Sequence, residues 1–182
     1  MLKVKGVLIK ALNRMVFETY GKQGYYKVLK NIKRSTRDIF EKPIITQLYL
    51  ADFYEGFLEG VSKGSGLTLK EIGRKKFKFI YDMLKPVFNE NIHSYEDAII
   101  NASKISSHFV EGLEWKGETV EKNKIYRLYV KSPYRIDTYK NFWEATIGFI
   151  EGVLEHLGAE NPKVILESLG FNEAVFTVKI GD

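Results

Sequence analysis

No cysteine occurs among the 182 residues. Disulfides, thiol nucleophiles, iron–sulfur clusters, thiolate haem ligation and cysteine-based zinc sites are therefore excluded. Histidine is scarce as well: His93, His108 and His156 stand far apart and make no metal-ligand spacing, so no metal site is expected. No apolar run approaches the roughly 18 residues of a membrane-crossing helix. Lys3, Lys5 and Lys10 break the opening apolar stretch, which does not read as a signal peptide, and the expected location is cytoplasmic. Phosphate loops, dinucleotide-binding glycine fingerprints, zinc-protease helices and the Gly-x-Ser-x-Gly turn are all missing. No nucleophile–base pair stands out either, so an enzyme is not expected. Excess charge of one sign is also small. Lys plus Arg number 28 against 23 Asp plus Glu, a net +5 that falls short of a nucleic-acid-binding signature. The cluster of Lys30, Lys33, Arg34 and Arg37 reads as a solvated face.

What the chain does have is aromatic and apolar mass. Hydrophobic residues make up 45% and aromatics 14%, with 12 Phe, 11 Tyr and 2 Trp, which points to a large core or an aromatic-lined pocket. A chain this long buries roughly 70% of its unfolded surface and needs no covalent staple. Apolar residues recur at helical spacing over residues 6–20 and stop at Gly21. A short helix over 25–32 follows. Pro43 opens the next, which carries Ile45, Leu48, Tyr49 and Phe53 on to Phe57 and Val61. Thr68 and Glu71 spell a capping box, and the stripe Phe77, Ile80, Tyr81 and Leu84 closes before Pro86. Another helix is expected over 95–109.

Near Gly112 the period changes from helical to alternating. Tyr126, Leu128 and Val130 mark one face of a strand over 125–132, which pairs with the preceding stretch through Gly117 or the 121–124 turn. The long apolar helix over 139–157 presents Phe142, Phe149 and Val153 on one face and Trp143, Ile150 and Leu154 on another, so both sides are expected to be covered. Two more strands, 163–168 and 173–180, join at 170–172. The fold class is α+β: a helical N-terminal half, then a four-stranded antiparallel sheet with one long buried helix (β-β-α-β-β). Residues 1–182 form a single domain, with a helical subdomain over 1–110 and an α/β subdomain over 111–182. The carboxylate pairs Glu55/Glu59 and Glu151/Glu155 fall at i,i+4 and read as solvated helix faces. Tyr129, Ser132 and Arg135 form a group able to hydrogen-bond a carboxylate, at a strand end that Pro133 closes.

The order of these segments resembles the haem nitric-oxide/oxygen-binding (H-NOX) domain and its haem-free relatives. The similar residues are Val4-Lys5-Gly6-Val7 at the start and Thr19-Tyr20-Gly21 after the first helix. Further on come Gly66-Leu67-Thr68-Leu69-Lys70-Glu71-Ile72-Gly73, and Gly148-Phe149-Ile150-Glu151-Gly152 in the long helix. Together they span essentially the whole chain. The back half is also similar to the 4-vinyl reductase domains and the TRAPP tethering subunits of the same superfamily. The resemblance implies a sensor that signals to a chemoreceptor, cyclase or kinase partner, with a hydrophobic small molecule held between its two halves. Candidate pocket residues are Phe77, Ile105, Phe109, Phe142 and Phe149. Haem-binding members hold iron with a histidine in the helix before the first strand and clamp the propionates with Y-x-S-x-R. Here residues 100–104 contain no histidine, and Tyr129, Ser132 and Arg135 follow Y-x-x-S-x-x-R. Ordinary haem binding is therefore not expected, and the cofactor is none or unknown. His108 is the candidate ligand should haem bind by another route. The alternative that the superfamily implies is a protein-interaction module acting as a homodimer.

Overall fold

The computed structural model describes residues 1–181, excepting the side chains of Val87, Asn89, Glu90 and Asn91. Strand β1 (Lys3–Lys5) leads into α1 (Gly6–Asn31), which runs past Gly21 only by a break. Gly21 takes φ +61°, a left-handed conformation that glycine adopts freely. The two helices expected on either side of Gly21 thus meet at a kink. A 3₁₀ turn and α2 (Arg37–Glu41) follow.

The helix expected from Pro43 begins only at Ala51. Residues Leu48–Leu50 are instead strand β2, paired antiparallel with β1. Leu-Tyr-Leu is short enough to satisfy either periodicity, and pairing with the N-terminal strand decides it. Strand β3 (Val110–Glu111) completes a three-stranded sheet in the order β2-β1-β3, a feature that the sequence reading does not contain.

Helix α3 (Ala51–Ser65) ends at Gly66, which is left-handed at φ +77°. Helix α4 (Leu69–Asn91) opens on the full Thr68/Glu71 capping box. It does not close before Pro86 as expected but runs through it, with a break at Leu84, two residues before the proline. Proline lacks an N–H and its ring crowds the preceding turn, so the backbone gives way upstream. The single helix expected over 95–109 is two: α5 (Tyr95–Ile100), capped by Ser94, and α6 (Ala102–Ser106), separated at Asn101.

The back half follows the expected order. β4 (Glu114–Glu121) and β5 (Ile125–Lys131) form a hairpin through the 121–124 turn, α7 (Lys140–His156) crosses, and β6 (Lys163–Leu169) and β7 (Glu173–Lys179) close the sheet. Its order is β4-β5-β7-β6, antiparallel throughout. Tyr126, Leu128 and Val130 of β5 and Ala174, Phe176 and Val178 of β7 are buried on the inner face. Trp143 of α7 lies against them, its ring 5.8 Å from Phe176, while its indole N–H donates to the Ile136 carbonyl at 2.9 Å. On its other side α7 packs on α4, so both faces of the helix are covered. Burial of this kind contributes roughly 1.5–3 kcal/mol per large apolar side chain.

Candidate functional site

The α4–α7 contact is close because glycines make it. A Cβ on Gly148 would fall on the Lys70 carbonyl, and one on Gly73 would fall on the Ala145 carbonyl. A Cβ on Gly152 would meet the Arg74 carbonyl at 3.2 Å. The Gly-Phe-Ile-Glu-Gly run and Gly73 are thus two sides of one helix crossing. Carboxylates tie the same helix at two points. Glu55 on α3, half-buried, accepts the backbone N–H groups of Asn141 and Phe142 at 2.7 and 2.8 Å and so caps the start of α7. Burial raises the Glu55 pKa, against the lowering effect of those two bonds. Glu151 is 1% exposed. It pairs with Lys70 at 2.7 Å and Arg74 at 2.8 Å and accepts the Val164 N–H at 3.1 Å.

The expected solvated face therefore holds only in part. Glu59 and Glu155 are exposed, and they pair with Lys63 and Arg74. Glu55 and Glu151 turn inward because their partners are main-chain N–H groups and basic residues from other elements, which i,i+4 spacing does not register.

Between this crossing, the α5–α6 segment and strands β4 and β5 lies an apolar cavity of about 90 Å³. That is smaller than the roughly 150 Å³ apolar cavity known to stay dry and accept benzene. Its walls include Leu8, Ala98, Ile99, Ala102, Leu128, Ile150 and Val153. Of the expected pocket residues, Ile105, Phe109, Phe142 and Phe149 line it. Phe77 stands behind them, its ring edge-on to Phe149 at 5.7 Å and 5.5 Å from His156.

A few polar side chains also reach the cavity. The hydroxyls of Ser106 and Thr146 donate to the carbonyls of Ser103 and Phe142. Trp115, stacked on Phe176 at 5.9 Å, keeps its indole N–H buried without an acceptor. Lys76 of α4 is 4% exposed. Its ammonium donates to the Tyr54 hydroxyl and lies 5.0 Å from the Tyr54 ring and 5.8 Å from that of Phe149. Burial pushes the Lys76 pKa down to about 7 and moves the Tyr54 phenol far above its ordinary range. The sequence reading assigns Lys76 no role. The signal is there, since Ile72, Lys76 and Ile80 fall four residues apart on one helix face, and a lysine in an apolar stripe is rare unless it has a task.

The remaining candidates lie elsewhere. Tyr129, half-buried, points to the face of β5 opposite the buried one and donates to Glu118 at 2.6 Å. Ser132 is buried and accepts the Tyr134 N–H at 3.1 Å. Arg135 is exposed and makes paired contacts with Asp137 at 2.7 and 3.2 Å. None of the three lines the cavity. His108 sits in a neighbouring crevice with Leu84, Phe88, Ile92, Asn101, Lys104 and Ser107. Among the described residues no three His, Asp or Glu could hold a metal ion together, and no helix is long and apolar enough to cross a membrane.

No family model matches the chain, and no curated protein matches its sequence. Solved structures match its fold over nearly the whole length. An H-NOX protein from S. oneidensis in the Fe(II)NO ligation state superposes with a TM-score of 0.71 at 12% identity, covering 98% of this chain and 99% of that one. An unliganded Fe(II) H-NOX mutant from K. algicida gives 0.70 at 13% identity, covering 98% and 97%. A Cs H-NOX mutant carrying the unnatural amino acid 4-cyano-L-phenylalanine gives 0.69 at 16%, covering 98% and 97%. The chain therefore has the H-NOX fold, as its segment order implied. The residues present do not fit haem held as the resemblance implies. No imidazole lines the cavity, and the tyrosine, serine and arginine of the near-match are engaged outside it. A cavity of about 90 Å³ also leaves no room for a porphyrin without movement of its walls.

Proposed function

We propose that this H-NOX-fold chain is a sensory domain that binds an apolar small molecule other than haem. The bound molecule would bias the packing of its two halves and so signal to a partner protein such as a receptor, cyclase or kinase. The observation that carries this reading is the cavity itself. It is apolar and walled by helices of the front half and strands of the back half, with two polar groups that lack an ordinary partner. Ile105, Phe109, Phe142 and Phe149 would contact the ligand, and Phe77 would support Phe149. A molecule that fits only when α5–α6 stands slightly away from α7 would shift that equilibrium by its differential affinity for the two arrangements. A lining so largely apolar suits holding a molecule rather than transforming it.

The first test is absorbance of purified protein with excess haem, paired with NMR of the ¹⁵N-labelled protein titrated with toluene. The reading expects no Soret band and a shift of the Trp115 indole N–H signal with toluene. A Soret band abolished by His108→Ala would overturn it in favour of haem, and an unmoved Trp115 signal would overturn the cavity as a ligand site. The interaction-module alternative draws on Phe17 and Tyr26, about half exposed on α1. Light scattering that found a stable dimer weakened by Phe17→Ser, with toluene excluded, would favour it.

A further inference from the structure

Lys76 is a buried basic group with no counter-ion among the described residues. Among the described residues no carboxylate pairs with it, and its only hydrogen bond goes to a neutral phenol. Leaving a charge this buried without a partner is costly, and proteins ordinarily pair it or replace it with an apolar residue. Here it lies on the α4 wall of the cavity against two aromatic rings, and the unsatisfied indole N–H of Trp115 belongs to the β4 wall of the same cavity. Every other lining residue is apolar or already makes a hydrogen bond. The site therefore offers a basic group and an unsatisfied donor within greasy surroundings, and no carboxylate to meet them; its acceptors are the neutral oxygens of Ser106 and Thr146.

We propose that the cavity selects an apolar carboxylic acid: the Lys76 ammonium pairs with the ligand carboxylate beside the Tyr54 hydroxyl, and the body of the acid packs on Phe109, Phe142 and Phe149. This names the ligand class of the site proposed above and rests on that reading. A carboxylate supplies the missing counter-charge, and it is the ionised partner for which a charge-assisted bond to an ammonium is strongest. Burial that holds Lys76 near neutrality in its pKa means that an acid can arrive with its own proton and hand it to the amine, so no net charge need enter the cavity. An apolar amine or a neutral amide could offer at most a neutral acceptor and no counter-charge. The lysine thus discriminates among ligands of equal size.

The experiment compares three probes of similar shape, toluene, phenylacetate and phenylacetamide, on the wild-type protein and Lys76→Met, read from the Trp115 indole signal and by titration calorimetry. Phenylacetate is expected to bind at least about tenfold more tightly than phenylacetamide, the equivalent of about 1.4 kcal/mol. In Lys76→Met that preference falls to within about twofold while toluene still binds. Equal affinity for acid and amide in the wild type overturns the inference and leaves the ligand cavity standing, a result that needs no variant. A preference that survives in Lys76→Met also overturns it, since the anion would then be held elsewhere. Failure of all three probes to move Trp115 overturns the cavity reading and this one with it.

Discussion

The α4–α7 crossing and the α5–α6 segment enclose the same cavity, yet they are held in different ways. Helices α4 and α7 are 23 and 17 residues long. They touch backbone to backbone through Gly73 and Gly148, and Glu55 and Glu151 bind the second helix to three other elements. Helices α5 and α6 are six and five residues long, interrupted at Asn101, with Ile100, Ser103 and Lys104 exposed. Pieces of one or two turns have little helical stability of their own and depend on packing. One wall is a rigid frame and the other a thin cover. A cavity that must enlarge to admit a guest will do so at the cover, because opening free energies fall where packing is sparse.

The largest effect should come from Gly148→Ala. Its added Cβ would land on the Lys70 carbonyl, a backbone atom of a long helix that cannot step aside. A loss of more than about 3 kcal/mol in urea-monitored unfolding is expected. A loss below about 1 kcal/mol would mean that the frame is softer than its geometry.

Lys76→Met comes next. The lysine's pKa is lowered from 10.5 to about 7 by burial, so between those values the unfolded chain binds more protons than the folded one. Wild-type stability should therefore rise with pH across that window, by about 2 kcal/mol between roughly pH 7 and 9. The methionine variant should lack the rise and be the more stable form at about pH 7.

Gly117→Ala tests the cover in the same way that Gly148→Ala tests the frame. Its Cβ would meet the Ile99 carbonyl at the end of α5, but a six-residue helix can shift, so about 1 kcal/mol is expected. Equal costs for the two alanines would erase the distinction between the walls. The smallest effect belongs to Arg135→Ala, an exposed pair with Asp137 far from either wall. No resolvable change in the unfolding midpoint and unaltered probe binding are expected.

Much of this architecture is legible in the sequence. Long elements with a clean period, α7 and the four back strands, can be placed within a few residues because burial imposes periodicity on them; the Thr68/Glu71 cap marks the start of α4, but that helix runs on through Pro86 to Asn91 rather than closing before the proline. What escapes is short or non-local. Leu48–Leu50 becomes a strand only because Lys3–Lys5 lies beside it, and nothing between the two announces that pairing. The break at Asn101 carries no glycine or proline to advertise it. Ile105, Phe109, Phe142 and Phe149, chosen for facing inward, line the cavity because that cavity sits in the core. Lys76 is passed over because its charge suggests a surface role, although its place in the stripe says otherwise. Glu151 is misassigned for the same reason.

The glycine crossing also has a consequence for how such a domain can diversify. Every alternative to glycine at position 73 or 148 introduces a Cβ that meets backbone, so no substitution there is mild, and a saturation library should show both columns depleted throughout. The cavity wall is under no such rule. Lys76, Ala102, Ile105 and Thr146 could exchange for residues of other size and polarity while the crossing stays intact. A lineage built on this frame can therefore reshape its cavity by relettering a handful of side chains and keep the same helix crossing beneath it.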